Sequence, residues 1–290
     1  MTNLDRSYVK WFPPNDDIVF KLFCAERPEL LHKVLSLMPD IPKLRLPLKF
    51  SNTHFITKVR SKLTIRDCII RIPYNKKKSR GEVINIEMQN IATTDLAERM
   101  TFYSSQALAC QNRKKGNYFE FLRVRTILLL NENIFNDTDE YYTHISLMRE
   151  NVQKPFTDLL HFHIYELQKI QEPYDELTQW LKFFSVQTLE ECMELAARNP
   201  DIKKACEYVT WANADKDVRE LLIAEDKRKT HEMSLRIDAE KRGEQRGEQN
   251  GEKKAMEKVA SKLLSMNLPI DQIIEATGLS SKKINQLKNL

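Results

Sequence analysis

The chain predicts an α/β fold: a mixed β-sheet flanked by helices, with a helical C-terminal extension. Three observations predict it. Apolar residues follow helical spacing, then strand-like alternation or runs, in the order helix, strands, helix, strands, helices. The 290 residues are 41% hydrophobic with only 6 glycines and 11 prolines, the composition of an ordered, helix-rich chain. From about residue 217 the sequence becomes highly charged yet keeps helical character to its end.

The first helix is expected over about 16–38. Asn15 or Asp16 can cap it, Val19, Phe20, Phe23, Leu30, Leu31, Val34 and Leu35 supply its apolar stripe, and Pro28 marks a break. After a loop-like "MPDIPKLRLP", residues 54–60, 63–73 and 82–89 alternate or run apolar, with "YNKKKSRG" as a hairpin tip. A helix over 95–112 starts near Asp95, carries Leu96, Met100, Tyr103 and Ala107 on one stripe, and stops at Gly116. Strands follow at 123–130, 141–148 and 159–167, then helices over 175–215.

These patterns divide the chain into a principal domain over 1–216, a charged segment over 217–260 and a small element over 261–290. In the charged segment Gly243, Gly247 and Gly251 recur every four residues, each followed by glutamate. Glycine inside a helix costs about 1 kcal/mol relative to alanine. The segment is therefore either a solvated, easily frayed helix or linker, or a glycine-lined face where two helices approach. The tail "LPIDQIIEATGLSSKKINQL" gives two short amphipathic helices about Gly278, with Ser280 as cap. It reads as helix-turn-helix grammar, serving as a packing element or as a DNA reader with Lys282 and Lys283 near phosphate.

Composition excludes several classes. No apolar run approaches the ~18–20 residues of a membrane span, and the N-terminus lacks a basic-then-apolar leader. Five scattered cysteines, never spaced CxxC, argue against a disulfide framework or structural zinc and for a reducing, cytoplasmic setting. P-loop, GxGxxG and GxSxG patterns are all missing, so no nucleotide cofactor is expected. His161 and His163 in "HFH" share a strand face, but no third ligand is near in sequence, and they read as structural. A net charge of +5 permits a polyanionic partner without requiring one.

The candidate chemistry lies in "EVINIEMQN" at 82–90. Side chains alternate along a strand, so Glu87 and Gln89 project to one face. On the preceding strand, "TIRDCIIRI" sets Asp67 in an apolar, β-branched run. An isolated carboxylate there is costly; one bound to a cation is not. Two carboxylates on adjacent strands can share a hard cation such as Mg²⁺, which keeps several waters and binds phosphate. Ion pairing with Arg66, Arg71 or Arg99 is the competing reading.

"DIVFKLF" at 17–23, the "RD" of Asp67, "NIEMQ" at 85–89, and "ERMTFYSSQAL" at 98–108 followed by "GNYFEFLRVRTILLL" occur in this order. Over about residues 10–170, and in its glycine–glutamate tail, the chain resembles the PD-(D/E)XK nuclease family transposases, or recombination-promoting nucleases. The resemblance implies a restriction-endonuclease-like fold and a Mg²⁺-dependent DNA endonuclease, with Mn²⁺ or Ca²⁺ as alternative ions. It makes Asp67 and Glu87 metal ligands, with the Met88 carbonyl as a further one. Gln89 stands where the usual lysine would be, and Asp17 matches an acidic residue that sometimes completes such sites. Lys21, one turn after Asp17, and Arg99, Tyr103 and Gln106 on the following helix are candidate phosphate contacts, with Tyr103 as plain core an equal reading. Lys76, Lys77, Lys78 and Arg80 at the hairpin tip, with "NRKK" at 112–115, suit sequence-independent phosphate binding. DNA and a second copy of the chain are the implied partners, in recombination or mobile-element biology. A catalytically silent DNA-binding or scaffold protein of the same fold is the alternative.

Overall fold

A computed structural model of the chain describes residues 10–48, 50, 68–72, 81–111 and 118–288. The chain divides into two compact units, Met1–Leu222 and Ile223–Leu290. The expected α/β architecture is borne out in the first.

Helix α1 (Asp17–Glu26) begins at Asp16, whose carboxylate accepts the Ile18 and Val19 amides at 3.0 and 3.5 Å. Helix α2 (Pro28–Leu37) starts at the proline expected to mark a break. A proline in the first turn surrenders an amide that no helix partner would take. Five strands form the main sheet: β1 (Cys68–Ile72), β2 (Glu82–Gln89), β3 (Arg123–Leu130), β4 (Tyr142–Ser146) and, after a separate small pair β5 (Met148–Arg149) and β6 (Lys154–Pro155), β7 (Leu160–Glu166). Their order is β1-β2-β3-β7-β4. β2, β3 and β7 run parallel, while β1 pairs antiparallel with β2, setting Cys68 opposite Ile86, and β4 pairs antiparallel with β7.

Alternation divides the sheet into two buried faces. Ile84 and Ile86 of β2, with Ile127 and Leu129 of β3, pack among Ile18, Val19, Phe20 and Phe23 of α1. Behind α1 stand α4 (Glu176–Phe183), α5 (Leu189–Arg198) and α6 (Pro200–Ala214). Their aromatic residues meet those of α1, Phe20 edge-on to Phe184 at 5.6 Å and Phe23 beside Phe183 at 5.8 Å. Side-chain caps fix where these helices start: Asp175 accepts the Thr178 amide at 2.7 Å, and Thr188 and Glu191 form a reciprocal capping box. Cys192 of α5 and Cys206 of α6 are joined as a disulfide, a single pairing where the scattered cysteines argued against a disulfide framework. Their bond arises because two helices fold back on each other, which spacing alone does not announce.

Helix α3 (Leu96–Ala109) covers the opposite face. Leu96 and Met100 pack with Leu128, Leu130 and Ile164, and Ser104 hydrogen-bonds Thr126 at 2.7 Å. Asp95 occupies the cap position but makes no side-chain cap. Tyr103 is 46% exposed, so the reading of it as core is not sustained.

The expected structural role of "HFH" has a physical basis on the α1 side of the sheet. His144, His161 and His163 lie near one another with Tyr142. Arg125 Nη1 meets His163 Nε2 at 3.2 Å; a guanidinium only donates, so that ring nitrogen accepts and the ring proton sits on Nδ1, 2.9 Å from the Tyr142 hydroxyl. Burial, with His144, Arg125 and His161 alongside, pushes the His163 pKa down to about 3.

Helix α7 (Lys216–Ser265) is continuous through all three glycines. In the second unit its C-terminal part packs with α8 (Ile270–Thr277) and α9 (Ser281–Lys288) around Ala260, Ile273 and Ile284. Gly278 ends α8 at φ 66°, a left-handed conformation that glycine adopts without penalty. Among the described residues no helix is long and apolar enough to cross a membrane.

Candidate active site

Of the site residues expected from the sequence, Glu87, Met88 and Gln89 are at the C-terminal end of β2, where parallel α/β sheets offer their binding crevice. Pairing with β3 on one side and β1 on the other fixes the strand's register, and Asn85, Glu87 and Gln89 all project toward the α3 side. The strand is fully buried through Ile86 and half-buried at Glu87, Met88 and Gln89, so the polar positions coincide with its emergence from the core. Asn85 Nδ2 donates to Glu87 Oε1 at 2.6 Å. Arg99 of α3 reaches Gln89 Oε1 at 3.5 Å. Immediately beyond, Asn90 Nδ2 donates to the Asn15 carbonyl at 2.9 Å, tying the strand end to the start of α1.

Asn85 was not among the sequence candidates. The alternation that pairs Glu87 with Gln89 extends one step back to it, and that signal was available. Its Oδ1 is buried without a hydrogen-bond partner among the described residues. A buried amide oxygen in that state calls for a water, an ion or a bound group. The Glu87 carboxylate, held by the Nδ2 of the same side chain, is an oxygen donor of the kind a hard divalent cation takes.

The remaining candidates fall into three groups. Asp17 and Lys21 are ion-paired at 2.7 Å on α1, whose apolar residues pack on the sheet face opposite Glu87. Tyr103 and Gln106 are exposed on α3, with Tyr103 against Phe102 at 5.7 Å. Asp67, Lys76, Lys77, Lys78, Arg80 and the 112–115 lysine cluster lie outside the described residues. Among the described residues, no three His, Cys, Asp or Glu side chains are grouped to hold a metal ion.

Two other sheet carboxylates are committed elsewhere. Glu82, at the start of β2, is buried between Arg125 at 2.5 Å and Arg123 at 3.2 Å. Glu166 accepts the Ile134 and Phe135 amides at 2.5 and 3.0 Å and pairs with Lys169 at 2.7 Å. A buried carboxylate so neutralised is a structural element that no cation can enter without breaking it.

No curated protein and no solved structure gives a significant match to the chain. A family model does, over residues 14–240, a span that contains the whole sheet and its flanking helices. The chain belongs to the PD-(D/E)XK nuclease family transposases.

Proposed function

We propose that the protein is a metal-dependent DNA endonuclease whose centre is built on the end of β2. The observation that carries the reading is the polar series Asn85, Glu87, Gln89 on one face of a strand buried up to the point where that series emerges. Cys68 and Ile86 are paired across β1 and β2, and in sequence Asp67 precedes the first and Glu87 follows the second. These two carboxylates, with the Met88 carbonyl, would hold a divalent cation. When bound, the cation polarises a phosphodiester and lowers the pKa of an attacking water.

The chain's own residues divide the remaining work. Asn85 holds one oxygen of Glu87 and so fixes the orientation of that carboxylate. Gln89 puts a neutral amide where such nuclease sites usually carry a lysine, and Arg99, bonded to Gln89, supplies the positive charge from α3 instead. Placed there, the guanidinium opposes the charge that builds on the scissile phosphate. Lys76, Lys77, Lys78 and Arg80 would hold the duplex backbone without reading sequence.

Cutting both strands is served by two copies, and α7 supports pairing. Helical geometry puts Arg242 and Arg246 on one side of the glycine row and Glu244, Glu248 and Glu252 on the other. When two such helices meet through their glycine rows in parallel, each arginine row faces a glutamate row. In an antiparallel pair like charges meet. A Cβ added at Gly243, Gly247 or Gly251 meets nothing within 4 Å in the single chain, so that face is open for a partner.

Plasmid nicking with Mg²⁺ or Mn²⁺ tests the proposal. Wild type is expected to cut, and Asp67→Ala and Glu87→Ala to lose cutting while still binding DNA. Undiminished cutting by both variants would remove the assigned site. DNA binding by wild type with no cutting under either metal would establish the silent scaffold instead.

A further inference from the structure

The α8–α9 pair belongs to the second unit and takes no part in the proposed nuclease centre. Three residues, Gly278, Leu279 and Ser280, join its helices, the length and glycine content of a helix-turn-helix connection. Ile273, Ile284 and Ala260 of α7 are fully buried together, with Leu279 and Leu287 packed against them. Ser280 accepts the Lys283 amide at 3.4 Å through its hydroxyl. This packing fixes which side of α9 faces outward. Lys283 is turned back to Glu257 of α7 at 2.9 Å, so it serves the fold and not a phosphate. Lys282, Asn285 and Gln286 are exposed, and their spacing of three and four residues puts them on one strip opposite Ile284.

We infer that α9 is a recognition helix that reads duplex DNA in the major groove through Asn285 and Gln286, with Lys282 on the phosphates. Two features of α9 select this occupant. The helix carries no acid along "SKKINQLK" and leaves Lys282 and Lys288 exposed, which complements a polyanion. The centre of its outward strip is two carboxamides, the side chains that pair with both edge atoms of adenine. An apolar protein partner would leave both amides unmatched. Asp271 and Glu275, one turn apart and exposed on α8, are the acidic groups that this docking must turn away from the phosphates. The inference does not require the nuclease centre to be active.

Selection from a pool of randomised duplexes, using the full chain in EDTA so that no cleavage intervenes, tests it. Wild type is expected to enrich a motif. Asn285→Ala/Gln286→Ala should bind the selected duplex about tenfold or more weakly, with binding to a scrambled duplex unchanged. Lys282→Ala should weaken both duplexes alike and reduce the salt slope by about 1. Glu87→Ala should enrich the same motif as wild type, which separates this reading from the nuclease one. Failure of wild type to enrich any motif overturns the inference. So does a wild-type motif enriched by the double variant, once circular dichroism shows its helices intact.

Discussion

Arg99 is the residue whose replacement tests the site most sharply. Its guanidinium is 3.5 Å from Gln89 Oε1, so a phosphate oxygen engaged at Gln89 would be about 5 Å from the charge centre. At an effective dielectric of about 20, one unit of charge at that separation is worth about 3 kcal/mol. If most of it acts on charge that develops only in the transition state, Arg99→Met lowers the cleavage rate about 100-fold. Duplex affinity should change far less, since many other cations hold the backbone. Metal-activated nicking rates under single-turnover conditions, beside binding measured in Ca²⁺, read the two effects separately. A second substitution distinguishes charge from packing: Arg99→Met/Gln89→Lys restores a cation from β2 and should recover at least tenfold. Arg99→Met cutting at the wild-type rate, or a double variant no faster than Arg99→Met, would show that Arg99 has no electrostatic part in the reaction.

His163 gives the first unit a pH-dependent stability. The unfolded chain takes up the proton near the ordinary histidine value of 6.5, whereas the folded chain resists it down to about 3. Stability is therefore full above that window and falls as pH drops through it, by about 2 kcal/mol at pH 5 if each unit counts about 1.4 kcal/mol. His161, lowered chiefly by burial, acts in the same direction. Urea midpoints at pH 7 and 5 should differ for wild type, and His163→Gln should flatten that difference; an unchanged slope would assign it to other groups. In α7, Gly247→Leu should convert a dimer to monomer in sedimentation analysis, because a branched side chain holds the glycine rows apart. A variant that sediments as wild type does would place any dimer contact elsewhere.

Much of the fold was legible because periodicity and caps acted together. β3 alternates Arg123, Val124 and Arg125 before an apolar run from Ile127, its observed bounds, Arg123–Leu130, coincide with the expected ones, and Asp16 and Pro28 mark the starts of α1 and α2 where the sequence pointed. Features set by tertiary approach were not legible. Cys192 and Cys206 meet because α5 and α6 fold back on each other, and Tyr103 is exposed because the buried face of α3 runs through Leu96, Met100 and Ser104 to Ala107 and Leu108. The continuity of α7 through three glycines was left open by propensity. Ion pairs such as Arg228 with Glu225 and Glu232 support its N-terminal half.

Glu82 and Glu87 show why spacing alone could not assign the site. They are five residues apart on one strand, so they project to opposite faces, and each stands in a largely apolar sequence. Nothing local distinguishes them. The difference is in what each face brings. On the α1 side, β3 presents Arg123 and Arg125 to Glu82, and the triad consumes that carboxylate's capacity. On the α3 side, β2 itself presents Asn85 and Gln89, groups that orient and bridge but carry no charge. Had the register of β2 against β3 slipped by one residue, the arginines would have turned toward the other face and the two glutamates would have lost this division of labour. The register of a parallel strand pair thus commits Glu82 to the fold and, in the proposed centre, sets Glu87 on the face of Asn85 and Gln89. Leu128 and Leu130, apolar where Arg123 and Arg125 are charged, keep that choice fixed by burying the α3 face around the site.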